Sequence, residues 1–203
     1  QLGGGASVRP YDQYPTAVNP GEIPVLFNGS FEASGTNDPT YYPTMAGWVN
    51  HGGGLVGAEI IDSGDPSYGA AIHFETSDGD DGVSRAQHNR FLLTENAVSL
   101  EYSCRQLNNE DGILRVILQN VEDNVYEILD EVNLPIGSNW IERDVTIPQN
   151  LPRNEQYTLA IVVDSLDNYN AVVEVDRVGI WEDPDSVLNV PSEYPDIQTA
   201  INV

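Results

Sequence analysis

The run Ile113-Leu114-Arg115-Val116-Ile117-Leu118-Gln119 alternates without a break. Leu114, Val116 and Leu118 form one wholly apolar face, while Ile113, Arg115, Ile117 and Gln119 form a mixed one. Successive side chains of a strand point to opposite sides, so this run is a half-buried strand covering a core with one face. Further along, Gln156-Tyr-Thr-Leu-Ala-Ile-Val-Val163 is apolar almost throughout, as suits a central strand. Outward from these two, the pattern predicts strands near 23–28, 54–62, 70–76, 83–88, 98–105, 113–120, 125–132, 141–147, 156–164 and 171–181. Turn chemistry separates them at Asp62-Ser-Gly-Asp-Pro66, Asp78-Gly-Asp-Asp-Gly82, Asn108-Asn-Glu-Asp-Gly112, Pro135-Ile-Gly-Ser138 and Asp164 through Asn170. No helical stretch of ten residues stands out between 22 and 181, and nothing repeats at a fixed period. The expected class is all-β, an antiparallel β-sandwich or jelly roll with two packed sheets.

Composition narrows the function. The 203 residues include 32 Asp plus Glu against 8 basic residues, all of them arginine, for a formal net charge of −24. The length suits one large β domain, or one domain plus tails. A polyanion is repelled by such a surface, which argues against nucleic acid as a partner. Anionic membrane surfaces are disfavoured for the same reason. No apolar run approaches the roughly 20 residues that span a bilayer, so membrane insertion is not expected. The charge favours solubility, cation binding and high-salt surroundings. The single cysteine, Cys104, rules out an intramolecular disulfide. It shares parity with Val98, Leu100 and Tyr102, which predicts a buried small hydrophobe rather than a catalytic thiol. The chain starts at Gln1, compatible with a removed leader, and a secreted or cell-surface location is expected.

Residues 1–21 hold Gly3-Gly4-Gly5, Pro10, Pro15 and Pro20 with little apolar periodicity, predicting an extended arm or linker. Such an arm can also pair with a sheet edge of a neighbouring subunit, a route to self-assembly. At the other end, Tyr194-Pro195 sets an extended step before Ile197, Ala200 and Ile201, which fall on one face of a short helix. The pattern Val-Pro-x-x-Tyr-Pro-x-Ile-Gln-x-Ala-Ile, over about 190–203, resembles the N-terminal cap of pectin-lyase-like parallel β-helices. The resemblance implies that 184–203 is a linker and the start of a truncated cap, and that the chain is the front module of a longer polypeptide. A frayed C-terminal tail is the alternative.

Several landmarks recur in a familiar order between about 22 and 183. They are Leu26-Phe27-Asn28-Gly29-Ser30-Phe31-Glu32, Gly47-Trp48, Tyr68-Gly69-Ala70-Ala71-Ile72-His73-Phe74, Val98-Ser-Leu-Glu-Tyr-Ser, Ser138-Asn-Trp140, Tyr157-Thr-Leu-Ala-Ile and Val173-Glu-Val-Asp176-Arg-Val-Gly-Ile180. This order resembles carbohydrate-binding modules with a galactose-binding-like β-jelly roll. The resemblance implies that the opening and closing motifs meet and that a structural calcium sits there. Glu32 and Asp176 then supply carboxylates, with carbonyls near Asn28 and Ser34 completing the set, since Ca²⁺ takes six to eight oxygen ligands. Arg177 replaces an acid common in the closing motif and removes one possible ligand. In the bland reading, Glu32 is a strand-end surface acid and Asp176 an edge or turn residue. Asn28-Gly29-Ser30 also matches the glycosylation sequon, though the turn into the first strand accounts for Asn-Gly.

Sugars offer flat apolar faces and rings of hydroxyls, so their sites combine exposed aromatics with planar polar side chains. Tyr41 and Tyr42, in a Pro-rich loop, and Tyr68, in another, are the stacking candidates, unless one closes the core. Arg85, Gln87, Arg115 and Gln119 lie on mixed-parity faces and either line a concave sheet or are ordinary surface polar groups. Trp48 and Trp140 stand at strand starts and are read as core, and Trp181 as packing at the module's end. His51, His73 and His88 have no metal-binding spacing, and His73 alternates as a solvent-side residue. No nucleophile elbow, zinc-binding His-Glu-x-x-His or phosphate loop occurs, and paired acids arise by chance among 32. The expected function is a non-catalytic carbohydrate-binding module of a secreted or surface multidomain protein, targeting a glycan-active β-helix domain where any lyase or hydrolase chemistry resides. The overall charge favours neutral glycans over polyuronates. The alternative is a structural or adhesion module of an extracellular filament, surface layer or viral appendage.

Overall fold

The computed structural model describes residues 48–50, 58–76, 83–165 and 170–182, together with Leu26, Gly29 and Phe31. The expected arm at 1–21, the turn at 78–82 and the cap at 190–203 lie outside these residues, as does most of the first expected strand. Eleven strands are described: β1 (Trp48–Asn50), β2 (Glu59–Asp62), β3 (Ala70–Glu75), β4 (Val83–His88), β5 (Phe91–Leu93), β6 (Ala97–Gln106), β7 (Gly112–Asn120), β8 (Tyr126–Leu134), β9 (Ile141–Thr146), β10 (Glu155–Ser165) and β11 (Val172–Glu182). They form two antiparallel sheets. One runs β1-β4-β10-β7-β8, with β5 also pairing β10, and the other runs β2-β3-β11-β6-β9. The architecture is the antiparallel β-sandwich that the alternating runs predict. β1 and β5 are additions, each three residues long and too short to show a period.

The inner faces follow parity. Leu114, Val116 and Leu118 of β7 are fully buried, facing a core shared with Leu159, Ile161 and Val163 of β10 and Val173 and Val175 of β11. Trp48 is in the core, its ring 5.3 Å from Phe31. Cys104 is buried as expected, and burial pushes its thiol up to about 12. Val98, however, is 43% exposed. A register shift between Trp181 and Glu182 pairs them with Ser99 and Ala97, leaving Val98 as the extra residue of a bulge while Ala97 turns inward. Trp140 is a second correction: it is only partly buried and packs outside the core, as described below.

Candidate functional site

Strand register sets the outer face of the six-stranded sheet. Arg85 on β4, Val162 on β10, Arg115 on β7 and Glu131 on β8 stand in one row across it. The next row is Gln87, Ala160, Ile117 and Ile128, and the one beyond is Thr158, Gln119 and Tyr126. The four polar residues picked out by parity, Arg85, Gln87, Arg115 and Gln119, therefore share one face of one sheet. Hydrogen bonds order them. Arg85 Nη2 donates to Gln87 Oε1 at 3.0 Å, and Gln87 Nε2 to Thr158 Oγ1 at 2.8 Å. Arg115 donates to Glu131 at 2.8 Å and to Asp164 at 3.1 Å, and the Glu131 bond chiefly raises its already high pKa. Gln119 Nε2 donates to Asn124 Oδ1 at 2.6 Å.

Beside this polar group lies an apolar surface that sequence parity does not reveal. Tyr126 is 67% exposed and Ile128 is 46% exposed, next to Ile117. Plain alternation would place Tyr126 and Ile128 on the same side as Val132 and Leu134, which are buried. A register shift intervenes: Val116 pairs with Asp130, but Ile117 pairs with Ile128, so Leu129 is the extra residue of a bulge. Asp130, in register with the buried Val116, faces inward like Val132, and there Tyr102 Oη donates to its Oδ2 at 2.8 Å and Arg143 binds it twice at 2.9 Å. Burial alone would raise the Asp130 carboxyl, but the bonds from Arg143 and Tyr102 outweigh it and hold the group below the usual range. The Tyr102 hydroxyl is pushed up, first by burial.

The other sheet carries a different arrangement. Tyr68 and Trp140 stack with ring centroids 4.1 Å apart and planes inclined by 10°. Arg177 lies 4.1 Å over the Tyr68 ring, and Arg105 lies 4.7 Å over Trp140. Both faces of Tyr68 are thus covered, so it does not present the free ring expected of a sugar platform. The ladder instead anchors the 62–69 loop: Arg105 Nη2 donates to Ser63 O at 2.5 Å, and Arg177 Nη2 to Ser67 O at 2.8 Å. Arg105 also pairs with the buried carboxylate of Glu174 at 2.6 Å, which His73 approaches at 3.6 Å. A pocket of about 250 Å³ opens nearby, lined by Glu101, Ser103, Glu142 and Asp144 with Arg143 and Arg177, both guanidiniums already engaged.

Asp176 is wholly buried on β11, beside the bulge that follows it. Among the described residues no group of three metal-ligating side chains gathers. Its expected co-ligands Asn28, Glu32 and Ser34 lie outside the described residues, as do the stacking candidates Tyr41 and Tyr42.

The sequence matches no protein-family model and no curated protein. Among solved structures, the chain is similar to TmCBM61 in complex with β-1,4-galactotriose, with 11% identity, a TM-score of 0.53, and coverage of 79% of this chain and 99% of that one. It is also similar to the N-terminal endo-1,4-β-D-xylanase 10B of Clostridium thermocellum, CBM22-1 and GH10 modules complexed with xylohexaose, with 12% identity and a TM-score of 0.50. That match covers 67% of this chain and 26% of the xylanase chain. The likeness is one of fold: this chain has the jelly-roll β-sandwich of carbohydrate-binding modules.

Proposed function

We propose that this chain is a non-catalytic glycan-binding module of a secreted or surface protein, and that it binds on the outer face of the β1-β4-β10-β7-β8 sheet. The observation that carries this reading is the pairing of an exposed Tyr126 and Ile128 with the ordered polar row beside them. An apolar strip stacks on a sugar ring, while Gln87, Gln119, Arg85 and Arg115 offer planar donors and acceptors to its hydroxyls. Gln87 and Ile128 are three strand spacings apart, about 14 Å, enough for a short oligosaccharide lying across the strands. Tyr41 and Tyr42 are further stacking candidates at the same module. The expected partition into an arm at 1–21, the module at 22–183 and a β-helix cap start beyond 184 belongs to this reading as a proposal.

Calcium belongs to it as well. The sealed Asp176 carboxylate lies two residues from Val178, which bonds the opening motif, so a cation held there would tie the two ends of the module together. A glycan array probed with the folded protein tests the main reading. Binding to one or a few related polysaccharides supports it, and a flat array removes its support.

A further inference from the structure

Four of the six partly buried arginines of the described residues meet a carboxylate, and two, Arg153 and Arg85, do not. Arg105 pairs with Glu174, Arg115 with Glu131 and Asp164, Arg143 with Asp130 and Arg177 with Glu142. Arg153 donates to the backbone carbonyls of Ala97 and Pro148. Arg85 meets no carboxylate among the described residues; its Nη2 donates only to the neutral Gln87, and its buried Nε has no hydrogen-bond partner. In a chain with 32 acids and 8 arginines, Arg85 has the fewest acceptors of these half-buried guanidiniums among the described residues: one neutral amide oxygen, against two carbonyls for Arg153. Leaving a charge partly desolvated and unpaired costs free energy, and a ligand that supplies the missing charge recovers it.

The setting limits what that ligand is. Gln87 is itself held by Thr158 and fixes the Arg85 fork from one side, so the guanidinium is oriented before anything binds. Arg115, two strands away in the same row, is neutralised by Glu131 and Asp164. Arg85 is therefore the guanidinium of this face that no carboxylate among the described residues contacts, while Glu131 and Asp164 together leave one negative charge in excess around Arg115. A planar guanidinium matches a carboxylate two-to-two. One such charge accommodates one carboxylate, whereas a run of carboxylates meets the repulsion of the net −24 chain.

We infer that the glycan bound on this face carries a single uronic acid among neutral sugar units, and that Arg85 receives its carboxylate. This rests on the glycan-binding reading above and names the class of sugar that this site selects.

The test is titration calorimetry with matched oligosaccharide pairs: xylotriose against xylotriose bearing one glucuronic acid, and β-1,4-galactotriose against the same trisaccharide ending in galacturonic acid. The parent protein is expected to bind the uronate member of at least one pair about tenfold or more tightly at low salt, the scale of a charge-assisted hydrogen bond. That preference shrinks as salt rises. Arg85→Gln, shown folded by circular dichroism, erases the preference, so that the two members of the pair bind with equal affinity. Arg85→Lys retains part of it. Equal affinity for both members, a neutral preference, or a uronate preference that survives Arg85→Gln overturns the inference and leaves the glycan reading standing. Absence of binding to every member by folded protein overturns the inference and counts against the glycan reading too.

Discussion

The peptide N–H of Val178 donates to the carbonyl oxygen of Gly29 at 2.8 Å, and a Cβ placed on Gly29 would lie 1.7 Å from the Val178 oxygen. The opening and closing motifs of the module therefore touch backbone to backbone, at a point where only hydrogen fits. This gives Gly29 a structural meaning that the sequon does not. It also locates the bulge of β11, where Arg177 takes a positive φ of 56° and the register with β6 shifts between Asp176 and Gly179.

Gly29→Ala is expected to force the two motifs apart and lower stability by more than about 3 kcal/mol, beyond ordinary overpacking because the obstructing atom is backbone. Chemical denaturation measures this. A denaturation midpoint close to the parent's would show that the contact is dispensable.

The Tyr102–Asp130–Arg143 group ties the edge strand β8 to the opposite sheet, and its contribution has a definite sign with pH. The folded Asp130 carboxyl lies below its ordinary value of 3.8, so its stabilisation is complete above that value and lost as pH falls through the folded one. Asp130→Asn is expected to destabilise at neutral pH and to converge on the parent in acid. The comparison isolates this group from the charge relief that acid brings to the other carboxylates. Parallel pH–stability curves for the two proteins would contradict it.

Calcium bound at Asp176 predicts a melting temperature that rises between chelator and millimolar calcium, because a ligand of the native state stabilises it by mass action. So acidic a chain also gains from any divalent ion by screening. Asp176→Ala is therefore expected to lose the calcium response and keep the magnesium and salt responses. An equal loss of all three, or of none, counts against a specific site.

Much of this was legible in the sequence where alternation runs uninterrupted. The parity of Leu114, Val116 and Leu118 places the core, and the mixed positions Arg85, Gln87, Arg115 and Gln119 do meet on one outer face. Legibility ends at bulges. One extra residue, Leu129, reverses the parity of β8, and that reversal exposes Tyr126 and Ile128, while Asp130 keeps the inward parity of Val132. No local signal in 125–132 marks it. Val98 is misplaced by parity for the same reason. The roles of Tyr68 and Trp140 depend on contacts between distant segments: two arginines from β6 and β11 close the faces of the stacked pair. An aromatic in a loop reads as a free platform until such partners are seen.

The central claim is that Tyr126 is the stacking residue of a glycan-binding face. Titration of the best array ligand into the parent and Tyr126→Ala, with melting curves for both, tests it most directly. An exposed aromatic that anchors a ligand accounts for roughly 1–3 kcal/mol on truncation, so binding should weaken about tenfold or more. The melting temperature should barely move, because the ring contributes little to the core. Undiminished affinity in folded Tyr126→Ala would contradict the account and move the binding surface elsewhere on the module.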